Sequence, residues 1–189
     1  ELGCGTGALI ERISKNFMRS VGVDPSVSLL ERAPKKPGIE YRPIPLEMLD
    51  DGNSYDTVVL RNTLHHVKDP ESAVRVAHRA LRPGGKLVVC EGVPPSSRVR
   101  EFYENLFRLF DKRHIFQEGD LLAMFRMCRF ERVCLQPYFM EGVDLIDWLK
   151  KVSPDEQVME KALQMHRGGD DHFRKVYEVH DLNGKYTMT

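Results

Sequence analysis

Five short stretches carry the residues in this chain that could do chemistry. The first is "ELGCGTG" at residues 1–7, with glycines at every second position, Gly3, Gly5 and Gly7, and an acidic residue, Glu1, ahead of them. The second is "VGVDPS", which places Asp24 at the end of a short apolar run. The third is the segment around Leu46 and Glu47, and the fourth is "RNTLHHV", with Arg61, Asn62, His65 and His66. The fifth is "RPGGKLVVCEG". Alternating glycines let a backbone turn sharply and let a ligand approach it without side chains in between. A helix that follows such a turn offers free N–H groups at its start. A carboxylate has two acceptor oxygens, so Asp24 can accept from both hydroxyls of a ribose.

These residues need a scaffold that brings strand ends together, and the intervening sequence predicts one. "ALIERISKNF" has helical spacing of apolar residues at Leu9, Ile10, Ile13 and Phe17. "SVGVD", "IEYR", "YDTVVL" and "KLVVCE" read as strands. "PSVSLLERA" reads as a short helix capped by Ser26, and Asp69–Pro70 opens another, with Asp at the cap and Pro at the first position. Strands alternating with helices predict a Rossmann-like doubly wound α/β fold, a mostly parallel sheet with helices on both faces. Ligands of such sheets bind at the carboxyl ends of the strands, where the chemistry-bearing residues lie.

Beyond residue 92 the pattern changes. "SSRVREFYENLFRLFDKR", "EGDLLAMFRMC" and "VDLIDWLKKV" read as helices, and "FERVCLQPYFM" as a strand. Ser153, Pro154 and Glu156 read as a capping box for a further helix that ends at Gly168 and Gly169. "VYEVHDLNGKYTMT" reads as an antiparallel hairpin turning at Asn183–Gly184. The apolar stripe from Val99 to Phe110 is read as core in preference to an acceptor lid, and Trp148 as packing.

Composition narrows the partners. Lys plus Arg and Asp plus Glu number 28 each, so no net charge argues for nucleic acid or an anionic membrane. No apolar run approaches the ~20 residues of a membrane span. The four cysteines form no CxxC pair and read as reduced thiols of a cytoplasmic protein. His166, His172 and His180 lack metal-ligand spacing, so no metal is expected.

The glycine spacing is GxGxG, whereas dinucleotide folds carry GxGxxG. Glu1 beside the turn would repel a pyrophosphate and suits a cationic group. The ligand should therefore carry a ribose and a positive end without phosphates, as S-adenosylmethionine does. A nicotinamide oxidoreductase is disfavoured on the same grounds. "ELGCGTG", "VGVDPS", "YDTVVLRNTLHHVKDP" and "ALRPGGKLVVCEG" together resemble class I S-adenosylmethionine-dependent methyltransferases, of the type-11 group that includes ubiquinone/menaquinone-biosynthesis methyltransferases. The resemblance is specific over residues 1 to about 92.

The chain has no repeats, low-complexity tracts or evident linkers and reads as one domain, residues 1–189. The resemblance implies a methyl-transferring enzyme, and with the neutral charge and the aromatic, Met-rich second half it points to a small, partly apolar acceptor. It implies that Glu1, Gly3, Gly5 and Gly7 cradle the methionine part, that Asp24 binds the ribose, and that Leu46 and Glu47 flank the adenine. Arg61 and Asn62 would line the cofactor near the sulfonium, and His65 and His66 would face the acceptor. No residue is assigned a catalytic role. Ile44 and Pro45 stand where the group carries an acidic residue before the adenine segment. In that fold the first, central strand would precede Glu1, so the chain is expected to be a fragment lacking it, ending short at "KYTMT" as well. The alternative is a methyltransferase-like module that binds cofactor or a partner without catalysis.

Overall fold

A computed structural model describes residues 1–153, 155–182 and 185–188. In chain order the elements are α1 (Ala8–Ile13), β1 (Ser20–Val23), α2 (Val27–Glu31), β2 (Ile39–Arg42), β3 (Tyr55–Arg61), α3 (Pro70–Ala80) and β4 (Leu81–Cys90). There follow α4 (Arg100–Phe107), α5 (Glu118–Met127), β5 (Val143–Asp144), α6 (Leu145–Val152), α7 (Glu156–Arg167), α8 (Asp171–Val176), β6 (His180–Leu182) and β7 (Lys185–Met188). The chain forms two compact units, one of residues 1–92 and 118–133, the other of residues 93–117 and 134–189.

The first unit is the predicted parallel α/β layer. β1 pairs with β2, and β3 with β4, both in parallel. Leu2 makes parallel bridges to both Val23 and Leu60, so it stitches the two pairs into one sheet. The stitch is made of backbone bonds, Leu2 N–H to the Val59 oxygen at 2.9 Å and Val23 N–H to the Glu1 oxygen at 2.9 Å. It places the glycine turn between the carboxyl ends of β1 and β3. Behind the sheet, α3 buries Ala73, Val74, Val76, Ala77 and Ala80 on one face. Its start follows the local code. Pro70 sits in the first turn, and the Asp69 carboxylate accepts from Ser72 N–H at 2.9 Å. Such a cap is worth about 1 kcal/mol. Ser26 caps α2 through Leu29 N–H, as expected.

In the second unit β5, β7 and β6 form an antiparallel sheet in that order. Its core is Leu106, Leu145, Leu149, Ala162 and Tyr186. Phe102, Leu109, Phe110 and Trp148 pack against that cluster, which agrees with reading the Val99–Phe110 stripe and Trp148 as core.

Four expectations are corrected or fall outside the description. "FERVCLQPYFM" forms no strand among the described residues. Pro137 has no N–H to offer a ladder, and Tyr138, Phe139 and Met140 stay exposed. The helix expected from Ser96 onward is shorter: a 3₁₀ turn at Ser97–Val99 leads into α4, which ends at Phe107. The cap of α7 is Asp155, whose carboxylate accepts from Gln157 and Val158 N–H, while Ser153 Oγ accepts from Asp155 N–H. Pro154 and the Asn183–Gly184 turn lie outside the described residues. α8, capped by Asp170 through Phe173 N–H, takes only Val176 of the segment read as a hairpin, and within that segment β6 and β7 pair antiparallel as expected.

Candidate functional site

The glycine turn adopts a backbone that L-residues avoid. Gly3, Gly5 and Gly7 have φ of +70°, +53° and +73°. Each faces a different neighbour. A Cβ at Gly3 would lie 2.5 Å from the Thr63 side chain, and one at Gly7 would lie 2.5 Å from the Tyr41 hydroxyl. A Cβ at Gly5 would meet nothing within 4 Å. Gly3 and Gly7 are therefore packed against the protein, and Gly5 faces open space. The Tyr41 hydroxyl beneath the turn is buried without a hydrogen-bond partner, and burial raises its pKa.

Asp24 sits directly after β1 and is 8% exposed. Its Oδ2 accepts from Gly5 N–H at 2.8 Å and its Oδ1 from Ser26 N–H at 2.9 Å. These bonds fix the carboxylate against the glycine turn and leave each oxygen a further lone pair for a ligand hydroxyl. Glu1 Oε2 accepts from Ile10 N–H at 2.9 Å, at the start of α1. Burial holds the Glu1 carboxyl above the usual range, against the pull of that bond and of Arg61. Cys4, inside the turn, has its thiol pushed up to about 12 by burial and by the Glu1 and Asp24 charges.

After β3, Asn62 takes a φ of +52°, a conformation Asn tolerates better than most residues. The chain then enters a short turn, Leu64–His66. Thr63, which touches Gly3, donates from its Oγ1 to the Leu2 oxygen at 3.1 Å. This turn is clamped by Glu91, the residue directly after β4. Glu91 Oε1 accepts from Thr63 N–H at 2.8 Å and from Leu64 N–H at 2.7 Å, and Oε2 lies 2.6 Å from His65 Nδ1.

Glu1, Gly3, Gly5, Gly7, Asp24 and Asn62 thus gather at the carboxyl ends of β1 and β3. Leu46 and Glu47 lie on a separate 3₁₀ turn, Leu46–Met48, that packs on α3. Leu46 is buried, Glu47 is exposed, and neither is hydrogen-bonded to the glycine turn or Asp24. Among the described residues no cluster of three or more His, Cys, Asp or Glu could hold a metal ion. The second unit has its own cavity of about 440 Å³ along residues 100–116, whose lining includes Phe107, Ile115, Phe116, Arg108, Lys112 and Arg113. Arg113 lies over the Phe107 ring at 4.0 Å and pairs with Asp111 through two 2.6 Å bonds.

Comparison with known proteins agrees with this arrangement. Residues 1–89, which hold the glycine turn, Asp24, the post-β3 turn and most of β4, match the family described as methyltransferase domain. The ubiquinone biosynthesis O-methyltransferase of Pseudomonas aeruginosa is 30% identical over 94 residues, 46% of this chain and 40% of that protein. The chain thus spans about two-fifths of the length of the curated relatives it matches. The YcgJ protein of Bacillus subtilis shares the fold with a TM-score of 0.86 over 99% of this chain and 86% of its own, at 21% identity. A SAM-dependent methyltransferase of Thermotoga maritima superposes with a TM-score of 0.57 over 69% of this chain and 62% of its own, at 29% identity.

Within residues 1–92, sequence reasoning overlooked Glu91, Thr63 and Tyr41. Glu91 had a legible signal. It is an acidic residue immediately after a strand, the same placement that drew attention to Asp24. Thr63 and Tyr41 had none, because their partners Gly3 and Gly7 are distant in sequence.

Proposed function

We propose that this chain binds S-adenosylmethionine at the glycine turn and transfers its methyl group to the oxygen of a small, partly apolar acceptor. The observation that carries the reading is the open space over Gly5, edged by the fixed Asp24 carboxylate. It is a cradle that any side chain at Gly5 would fill, and it fits a nucleoside ligand. Asp24 holds the ribose hydroxyls through its unused lone pairs. Glu1, a carboxylate at the same edge, complements the ligand's ammonium. Asn62, at the end of β3, lies beside the methionine part. When bound, the cofactor supplies an electrophilic methyl group on a sulfonium. The chain's own contribution is to hold acceptor and methyl in line, which is worth several kcal/mol of barrier on its own.

The oxygen acceptor is supported by the O-methyltransferase relatives. A small acceptor suits the neutral overall charge. Four free cysteines fit a reducing, cytoplasmic setting, and among the described residues no helix is long and apolar enough to cross a membrane.

The test is isothermal titration of S-adenosylmethionine, and separately NADH, into the full chain and into Asp24→Ala and Gly5→Ala. The expected result is binding of S-adenosylmethionine alone, weakened at least tenfold in both variants, the loss of one hydrogen bond to a charged group being worth about 1.5–3 kcal/mol. Gly5→Ala keeps the Asp24 bonds, so it separates filled ligand space from a loosened turn. Absence of S-adenosylmethionine binding, or unchanged affinity in both variants, would overturn the reading. Binding without methyl transfer to any acceptor would convert it into a non-catalytic cofactor-binding module.

A further inference from the structure

We propose that the cavity of the second unit is a binding site for a small aromatic carboxylate. It is lined by residues 100–116 alone, so the proposal stands apart from the glycine turn and from the methyl-transfer reading. Its volume of about 440 Å³ lies within the range of small-molecule sites. Four cationic side chains line it, Arg100, Arg108, Lys112 and Arg113, against the two carboxylates of Glu104 and Asp111. Both carboxylates are already engaged. Asp111 accepts two 2.6 Å bonds from Arg113, and Glu104 accepts from Arg100 Nε at 2.8 Å. The other Glu104 oxygen lies 3.9 Å from the Arg108 guanidinium, beyond hydrogen-bond reach. Arg108, whose side chain is 72% exposed, donates instead to the neutral Asn105 side chain at 3.0 Å. Lys112 has no hydrogen bond or ion pair among the described residues.

These two cations are not needed to finish α4. Basic side chains near a helix C-terminus commonly hold its last carbonyls. Here the Glu104, Leu106 and Phe107 oxygens already accept from the backbone N–H groups of residues 108–111. Arg108 and Lys112 therefore leave positive charge at the cavity that no carboxylate of its lining neutralises. An anionic group on a ligand is its complement.

The remaining lining is apolar and flat. Phe107 and Phe116 are both buried, and Ile115 joins them. The Arg113 guanidinium, fixed by Asp111, lies over the Phe107 ring at 4.0 Å. The His114 and Phe116 rings are within 19° of parallel, with centroids 5.9 Å apart. A planar ligand extends such stacks, ring on ring or ring on guanidinium, and a saturated one forgoes them. Phosphate sites use the fork of a guanidinium or a row of backbone N–H groups. The guanidiniums of Arg100 and Arg113 are engaged by Glu104 and Asp111, and Lys112 is a point charge on a flexible stem. That set suits a single carboxylate on an aromatic ring.

The experiment titrates 4-fluorobenzoate into the full chain without S-adenosylmethionine. Binding is followed by ¹⁹F NMR and by the fluorescence of Trp148, the single tryptophan, whose ring stands edge-on to Phe107 at a centroid distance of 6.2 Å. The expected result is saturable binding with one Kd from both signals, weakening as salt is added. The neutral 4-fluorobenzyl alcohol, the saturated cyclohexanecarboxylate and inorganic phosphate should each bind at least fivefold more weakly. Arg108→Gln and Lys112→Gln should weaken 4-fluorobenzoate about three- to fivefold each, the scale of a partly exposed charge pair, and about tenfold together. Both residues are exposed, so the variants should keep the wild-type urea midpoint. No saturable binding, a Trp148 signal that does not follow the ¹⁹F signal, any of the three comparison ligands within fivefold of 4-fluorobenzoate, or a folded double variant within threefold of wild type would overturn the proposal. The ligand and salt comparisons on wild-type protein decide it even where a variant fails to fold.

Discussion

Gly3 and Gly5 share a left-handed backbone but differ in what surrounds them, so substituting each by alanine separates strain from collision. At Gly5, with a φ of +53° and no atom within 4 Å of a new Cβ, only the backbone cost applies, about 1–2 kcal/mol. Part of it is offset by the lower entropy of the unfolded alanine chain, about 0.4–1 kcal/mol. A net loss of about 1 kcal/mol is expected. At Gly3 the same cost applies, and the new methyl would also lie 2.5 Å from both Cγ2 and Oγ1 of buried Thr63. Thr63 cannot swing away freely, because its hydroxyl bonds the Leu2 oxygen and its N–H bonds Glu91. Overpacking of this kind costs about 1–3 kcal/mol more. Urea unfolding of the two variants, compared at equal m-value, should place the Gly3→Ala midpoint clearly below that of Gly5→Ala. Adding Thr63→Ala should cost stability in the wild-type background, through the lost hydroxyl bond, and recover it in the Gly3→Ala background. The resulting coupling energy is expected at about 1–3 kcal/mol. Equal midpoints for the two glycine variants, or a coupling near zero, would refute the packing of the post-β3 turn against the glycine turn.

Two further outcomes follow from buried groups. His166 is fully buried, with Nδ1 2.6 Å from the Ala162 oxygen, Nε2 unpartnered and Phe102 edge-on at 5.1 Å. Burial lowers its pKa below 6.5, so the folded protein keeps it neutral where the unfolded chain takes up a proton. Stability is therefore unaffected by this group above about pH 6.5 and falls as pH drops below it, by up to about 1.4 kcal/mol per unit, until the folded value is reached. Relative to His166→Phe, wild-type protein should lose urea stability between pH 7 and pH 5, and parallel curves for the two would refute the reading. Of the four free cysteines, Cys90 and Cys134 are exposed, whereas Cys4 and Cys128 are buried with raised thiol pKa values. A thiol-reactive dye should label two cysteines quickly in native protein and four only after unfolding.

What the sequence determined by itself is local. The glycine turn, the caps Ser26 and Asp69 and the helical and strand periodicities of residues 1–92 are written in neighbouring residues, because backbone conformation and capping act within one turn of chain. The candidate ligand residues Asp24 and Asn62 were legible for the same reason, each closing an apolar strand. Only the tertiary structure decided what lies across the sheet. It set Glu91 against a turn 26 residues earlier, Thr63 against Gly3, and Tyr41 against Gly7. It also left residues 130–140 without the strand their apolar composition suggested, with Pro137 lacking the N–H a ladder needs. His166 makes the same point in the second unit, since only the packing of α4 and α8 around α7 turns a helical histidine into a buried, neutral one.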